Sequence, residues 1–415
     1  MKDEKFMEIL EQKPELKCCK IIQNDDLNPK LQKKPNLKQE NRDINNIKDA
    51  IYPKPNNETS SKFSSTSKSL KDTYNDLKEL KNFLQRESPY ILEKFELLEI
   101  IKSGSAGSVV KALPKLKGKK GKIIALKFLT NGKEKDNKNI QNHDEIIIHG
   151  SLKHHNIPQI YGYYKVGNNS CIAMEISQYG DLDSFKRKVI KRIPLSETLI
   201  CYIFGGLVQA LHYIHTHNKI IHMDVKQQNV LVDDYINIKL TDFSVSVCYK
   251  NIKKIKLPMV GTCYYMSPEV LRKDTIDSSD ASRIDVYSLG VLLYLLAFCG
   301  YPYDLNNIDN KDYKQILMNV EKNKLEFPRD SGNSRIFLDL LENCLNKDLK
   351  KRYSIYQLMN HPFYQAYQII LDEKEKLYNA AKFIVDLMVD NIHNFNKFIK
   401  NKENEYFLWL LLWLI

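Results

Sequence analysis

The sequence predicts an α+β fold in two lobes, a small β-rich one followed by a larger helical one. Two observations carry that expectation. From Phe95 the chain reads as short apolar strands separated by Gly- and Lys-containing turns, and from about residue 195 the apolar spacing becomes mostly helical. The length of 415 residues suits one large domain or two ordinary ones. A domain of about 300 residues buries roughly 75% of its unfolded surface and needs no disulfide staples.

A tail comes first. Residues 1–90 contain no glycine, are dominated by Asn, Lys, Pro, Ser and Gln, and hold few apolar side chains. Such a segment buries too little surface to offset its chain entropy, so it is expected to be a disordered, low-complexity tail. Ser60, Ser61, Ser64, Ser65, Thr66, Ser67 and Ser69 form a run open to modification. Leu77, Leu80 and Leu84 recur at three- and four-residue spacing and predict a short helix over 72–86.

At Phe95 the pattern changes. Residues 95–101 read as a strand, a turn with Gly104 and Gly107 follows, and 108–112 read as a second strand. A Lys-rich turn leads to a third strand over 123–129. The turn carries Lys115, Lys117, Lys119, Lys120 and Lys122, part of a net charge of +12. Nucleic acid is one partner for such a block, but a short, Gly-punctuated run reads better as a solvated loop.

Other classes are excluded by composition. At 43% hydrophobic and 27% charged, the chain is neither collagen-like nor wholly disordered. No run of ~20 apolar residues marks a polytopic membrane protein. Met1-Lys2-Asp3-Glu4-Lys5 is not followed by the apolar region of a signal peptide, so a cytoplasmic or nuclear location is expected. Cys18 and Cys19 are adjacent and the other six cysteines are scattered. With no C-x-x-C pair, the expectation is buried or idle thiols, not a zinc or redox site.

The chemistry-bearing residues lie in order along the strands and the segments after them. A strand–Gly-turn–strand unit can lay backbone N–H groups over phosphates, although Gly104 and Gly107 alone suit a plain hairpin equally well. Lys127 stands on an apolar strand in Ala125-Leu126-Lys127. The segment His222-Met223-Asp224-Val225-Lys226-Gln227-Gln228-Asn229 is more specific, and Thr241-Asp242-Phe243-Ser244 follows thirteen residues later. Two aspartates and an asparagine between apolar strands suit metal-assisted phosphoryl transfer. One carboxylate orients a hydroxyl, while the other and the amide oxygen hold Mg²⁺. Gly261-Thr262 and Ser267-Pro268-Glu269 close the stretch.

Taken together, the ordered set resembles the motifs of eukaryotic protein kinases over residues 95–364. It includes the Gly-rich loop, A-x-K, H-x-D-x-K-x-x-N, D-F-x and x-P-E, then Asp285-Val286-Tyr287-Ser288-Leu289-Gly290, Arg352 and His361-Pro362-Phe363. The resemblance implies a two-lobed protein-kinase-like fold using ATP and Mg²⁺. Asp224 would be the catalytic base and Lys226 would contact the transferred phosphate. Lys127, paired with Glu145, would hold the α- and β-phosphates, and Asn229 and Asp242 would bind Mg²⁺. The nucleotide would lie under Ile101, Lys102, Ser103, Gly104, Ser105, Ala106, Gly107, Ser108 and Val109. It would rest against Ala125, Leu182 and Leu231, beside a hinge of Met174, Glu175, Ile176 and Ser177, with Asp181 placed for the ribose. Glu269 and Arg352 would brace the large lobe. Lys226 and Thr262 resemble the Ser/Thr group, which implies protein substrates with serine or threonine hydroxyls.

Five positions depart from the family pattern. Lys102 replaces the first glycine of the loop, Ala106 the aromatic at its tip, and Ser244 the glycine of D-F-G. His149 stands at a usually apolar position, where a polar ring is expected to loosen its packing with Ile160, Phe243 and His222. Met223 replaces the arginine that pairs with a phosphate on the activation loop, and methionine has no such capacity. The loop from Val247 to Gly261 contains no Ser or Thr, only Tyr249, so activity is expected not to depend on Ser/Thr phosphorylation there. The alternative is a pseudokinase, a binding module that keeps the fold and regulates partners.

Beyond residue 364 an amphipathic helix is expected over 365–405, with Leu377, Ala381, Ile384, Met388, Ile392, Phe395 and Ile399 on one face. It would pack on the large lobe or bind a partner helix. The apolar residues 406–415 would span only ~15 Å as a helix and are too short to cross a bilayer, which leaves a membrane interface or a groove. The sequence points to no oligomeric state.

Overall fold

Two ten-residue strands, β1 (Phe95–Gly104) and β2 (Gly107–Leu116), open the sheet of the small lobe. With β4 (Ile124–Leu129), β5 (Ile160–Val166) and β6 (Asn169–Met174) they form an antiparallel sheet in the order β1-β2-β4-β6-β5. The computed structural model describes residues 70–389, apart from short stretches at 105–106, 117–118, 130–144, 168, 188–193, 234, 306–307, 310 and 329–331. The lysine block is a hairpin, not an open loop: β3 (Lys119–Lys120) pairs back on β2, and Lys115 Nζ donates to the Leu92 carbonyl at 2.7 Å.

The two faces of the sheet do different work because side chains alternate along a strand. Leu126 and Phe128 of β4 face one side with Phe95, Leu97, Val110 and Ala112. Ala125 and Leu129 face the other with Ile172, Met174 and Ile176, and Lys127 shares their parity. The first face is covered from outside the strands. Helices α1 (Leu70–Glu87) and α2 (Pro89–Lys94) bury Leu77, Leu84 and Ile91 against it. The described chain begins at Leu70, so residues 70–90, expected to belong to a disordered tail, include a helix and part of a second one. The leucine repeat is stable there because an apolar sheet face receives it, a tertiary effect that tail composition does not reveal.

The large lobe is helical. Residues 145–150 form α3, preceding the last two sheet strands. The short strand β7 (Gly180–Asp181) leads into α4 (Leu182–Phe185), followed by α5 (Glu197–Tyr213) and a π-turn (Ile214–Asn218). Next come β8 (Ile220–Ile221), β9 (Val230–Val232), β10 (Ile238–Leu240), β11 (Val247–Cys248) and β12 (Lys254–Lys256). The chain continues through α6 (Pro268–Arg272), β13 (Thr275–Asp277), α7 (Ser282–Phe298), α8 (Tyr313–Lys322), α9 (Arg335–Cys344), α10 (Ile355–Met359) and α11 (Pro362–Val389). α5 and α7 form the centre of the lobe core.

α11 begins on the lobe surface, with Phe363, Tyr364 and Tyr367 buried and Lys374 Nζ donating to Tyr202 Oη at 2.6 Å. The side chains proposed for its apolar face from Leu377 onward, and residues 406–415, lie outside the described residues. Among the described cysteines, Cys171, Cys201, Cys263 and Cys344 are buried free thiols, while Cys248 and Cys299 are exposed.

Candidate active site

β8 delivers the chain to His222, Met223 and Asp224. Asp285, in the first turn of α7 and fully buried, receives the backbone N–H of His222 at 2.7 Å and of Met223 at 2.9 Å. It also meets His215 Nε2 at 2.7 Å. Burial works to raise the Asp285 carboxyl, but His215 and His222 hold it below the ordinary carboxylate range. The two backbone bonds fix Met223 at φ 70°, a region that L residues rarely adopt. The side chain of Met223 is buried in the large-lobe core.

Asp224 gathers three neighbours. Its Oδ1 accepts the Thr262 N–H at 2.9 Å, and its Oδ2 accepts Lys226 Nζ at 2.6 Å and Asn229 Nδ2 at 2.9 Å. Lys226 Nζ also donates to Thr262 Oγ1 at 2.7 Å. Gly261 permits this approach: at φ +102°, a Cβ there would sit 2.5 Å from the Met223 carbonyl. Thr262 thus joins the site directly. In the sequence it serves only as a group marker, and the signal available was its place beside Gly261, ahead of Pro268-Glu269.

The second constellation centres on Lys127. Strand parity turns it to the face opposite α1, where Nζ lies 2.5 Å from Glu145 Oε1 on α3 and 2.9 Å from Asp242 Oδ1. Burial pulls the ammonium down, but Asp242 and Glu145 outweigh it and hold the pKa above the usual lysine value. Burial lifts the Glu145 carboxyl against the pull of that ammonium. The 2.5 Å contact decides for the charged pair. Burial would likewise raise Asp242, yet Lys127 and the Ser244 hydroxyl hold it well below the carboxylate range.

Asp242 adopts φ 68°, while Ser244 is not among the positive-φ residues. In place of glycine's freedom, Ser244 puts a hydroxyl beside Asp242 that helps to hold its carboxyl down. The neighbouring Phe243 is fully buried, its ring centre 4.9 Å from His222 and 5.0 Å from His149. His149 does not leave an unsatisfied polar ring in this packing. Its Nε2 lies 3.0 Å from the Pro158 carbonyl, and burial lowers its pKa to about 4, so the ring is neutral and donates that bond.

The residues expected on the nucleotide side lie on the sheet strands that carry Lys127 and in the segments that follow them. β1 and β2 pair through Lys102↔Val109, Ser103↔Ser108 and Gly104↔Gly107. At Gly107, with φ +132°, a Cβ would sit 1.9 Å from the Phe128 carbonyl, so only glycine fits. Ile101 and Lys102 are exposed, and Ser105 and Ala106 lie outside the described residues. Ala125 pairs with Met174, and both are buried. The hinge is clasped at Glu175, whose N–H donates to the Gln159 carbonyl at 2.8 Å and whose Oε2 lies 3.2 Å from Lys239 Nζ. Ile176, Ser177 and Leu182 are buried, and Leu231 is partly exposed on β9. Asp181 caps α4, its Oδ1 accepting the Ser184 N–H at 2.8 Å.

Two elements hold the segment between Asp242 and Glu269. β11 pairs with β8 and β12 with β13. Tyr249, Ile255 and Leu257 are buried in the lobe core, and Tyr249 Oη donates to the His215 carbonyl at 3.0 Å. Below the segment, Arg352 grips Glu269 through two bonds of 2.6 and 3.1 Å, both side chains being buried.

The residues present fit a hard divalent cation. Asn229 Nδ2 donates to the carbonyl and Oδ2 of Asp224, which leaves its Oδ1 as the acceptor. Asp242 is held ionised, and the Thr241 N–H to Asn229 carbonyl bond of 2.9 Å ties the two segments together. Carboxylate and amide oxygens of this kind would suit Mg²⁺, a hard cation that takes oxygen ligands.

Residues 95–364 match the family model described as protein kinase domain. The chain is 30% identical over 286 residues to serine/threonine-protein kinase dst2 of Dictyostelium discoideum, covering 68% of this chain and 24% of that protein. It is 33% identical over 325 residues to calcium-dependent protein kinase 5 of Plasmodium berghei, covering 76% and 51%. To serine/threonine-protein kinase dst4 of Dictyostelium discoideum it is 32% identical over 287 residues, covering 69% and 56%. The aligned part thus spans between about a quarter and a little over half of these relatives' lengths.

Proposed function

The chain belongs to the protein kinase family, and from that premise we propose that it transfers the γ-phosphoryl group of Mg²⁺-ATP to serine and threonine hydroxyls of protein substrates. The observation that carries this reading is the Asp224–Lys226–Thr262 constellation, closed by contacts of 2.6, 2.7 and 2.9 Å.

Each residue then has a task. Lys127, steadied by Glu145, holds the α- and β-phosphates. Asp224 accepts the proton of the substrate hydroxyl, and its Oδ2 is oriented by Lys226 and Asn229. The Lys226 ammonium, 2.6 Å from that carboxylate, would offset negative charge developing on the transferred phosphoryl group. Asn229 and Asp242 hold Mg²⁺, which when bound neutralises charge on the phosphates. Met174, Glu175 and Ile176 line the adenine edge, with Ala125, Leu182 and Leu231 above and below. The second oxygen of Asp181 serves the ribose.

The pseudokinase alternative gains no support over this reading. Lys127, Glu145, Asp224, Asn229 and Asp242 are all present and engaged, and His149 is accommodated by its contact with the Pro158 carbonyl. The test is γ-phosphate transfer from Mg²⁺-ATP to a generic basic protein, with analysis of the phosphorylated amino acids. Wild type should label serine and threonine, and Asp224→Asn should lose on the order of 10²–10⁴ in rate. No transfer by folded wild type, or equal transfer by the variant, would overturn the assignment.

A further inference from the structure

A cavity of about 730 Å³ opens where four parts of the large lobe meet: the π-turn after α5, the activation segment over 249–253, the start of α7 and the start of α10. None of its lining residues belongs to the phosphoryl-transfer machinery described above. It is nonetheless coupled to it, since His215 in its wall touches both Asp285, which holds the catalytic loop, and Tyr249 of the activation segment.

The wall is cationic. Lys219, Lys253 and Arg283 line the cavity with His215, and no carboxylate is among the lining residues. Among the described residues, the ammonium groups of Lys219 and Lys253 make no hydrogen bond or ion pair. Arg283 Nε has Asp280 Oδ1 at 3.3 Å, and that carboxylate is shared with Lys350, which holds Oδ2. Arg283 Nη1 and His215 Nδ1, both buried, have no hydrogen-bond partner among the described residues. Positive charge and the unsatisfied Arg283 Nη1 donor therefore gather around a volume of the size that ligands occupy. The hydroxyls of Ser278, Ser279 and Ser282 add donors, and the exposed rims of Ile252 and Tyr356 add apolar surface.

We propose that this cavity is a second ligand site, that it takes a phosphate monoester carried on an apolar body, and that its occupancy holds the activation segment in place. A dianion satisfies several separated cations at once, which a single carboxylate does not. The volume exceeds that of a bare phosphate, and the rim residues would cover an apolar body. The regulatory part rests on the kinase reading and follows from an inversion of charge. The loop from Val247 to Gly261 has no Ser or Thr to carry a phosphate, and Met223 has no charge to receive one. Instead the cation, Lys253, is on the loop itself and lines the same cavity as Arg283 of α7, so an external phosphate could bridge the two.

The test uses the full chain saturated with Mg²⁺ and a non-hydrolysable ATP analogue, so that the phosphate positions of the active site are filled. Phenyl phosphate, inorganic phosphate and phenol are titrated by calorimetry. Phenyl phosphate should bind saturably and more tightly than either fragment. Lys219→Ala/Lys253→Ala, in which both changed side chains are exposed in the native fold, should weaken it by about tenfold or more while leaving the nucleotide analogue unaffected. Absence of saturable binding, or equal affinity in the double variant, overturns the site. Phenyl phosphate should also raise the initial rate of wild type and not of the double variant; binding without any rate change overturns the regulatory part. Asp224→Asn should bind phenyl phosphate as wild type does. A chain that binds it yet transfers no phosphate would refute the kinase reading and leave the site standing.

Discussion

Asp285 Oδ1 accepts the backbone N–H of Met223 at 2.9 Å, and that bond fixes a buried methionine in a left-handed turn immediately before Asp224. The side chain faces the large-lobe core, not a loop phosphate. Restoring the family's arginine should therefore harm this chain. Met223→Arg places a charge in an apolar surrounding and should destabilise by roughly 3–5 kcal/mol, while Met223→Leu should cost less than about 1.5 kcal/mol. Denaturant midpoints of the two variants measure the difference. Equal stability of Met223→Arg and wild type would show that the pocket already accommodates the charge.

Tyr249 is the only hydroxyl side chain between Val247 and Gly261, and the fold hides it. Its Oη donates to the His215 carbonyl at 3.0 Å, and burial pushes its pKa up to about 12. Tyr249→Phe should keep phosphoryl transfer and lose about 1–3 kcal/mol of stability, because the buried carbonyl is left without its donor. Mass spectrometry of active wild type should find Tyr249 unmodified. Loss of transfer in Tyr249→Phe with stability intact would instead point to a phosphorylated tyrosine.

The sequence makes the chemistry legible because the motif residues are few, polar and set in apolar strands. Asp224, Asn229 and Asp242 announce themselves by standing where burial is otherwise continuous. What remains hidden is set by long-range contacts. Thr262 meets Lys226 across 36 residues, Lys239 clasps the hinge at Glu175, and the helix at Leu70–Glu87 is ordered only by the sheet it covers. His149 reads as a defect from its residue type, and only the Pro158 carbonyl 3.0 Å away explains its fit.

Arg352 and Glu269 form a bidentate pair with almost no exposure, and Arg352 also donates to the carbonyls of Asn346 and Arg283 while lying 4.8 Å from the Tyr287 ring centre. Removing one partner leaves a buried charge alone, so Arg352→Ala and Glu269→Ala should each cost about 3–5 kcal/mol. The double variant should cost less than the sum of the two, because the second change removes an already unpaired charge. Strictly additive losses in urea unfolding would mean that the pair contributes nothing beyond packing.

His149 gives the protein a definite response to acid. The ring is buried against Phe243, with Lys127, Asp242 and His222 as its charged or titratable neighbours, and burial lowers its pKa to about 4 from 6.5. Between those values the unfolded chain binds a proton at this position and the folded chain does not, so stability falls as pH drops from 6.5 towards 4. At pH 5 the loss from this one group is about 2 kcal/mol relative to pH 8. His149→Leu removes the titration and with it that part of the slope, while the Pro158 carbonyl loses its donor at every pH. Urea unfolding of both proteins at pH 5 and pH 8 should show the variant's disadvantage shrinking or reversing at the lower pH. An equal difference at both pH values would mean that His149 is protonated alike in the folded and unfolded chains, and that the ring is not buried neutral against Phe243.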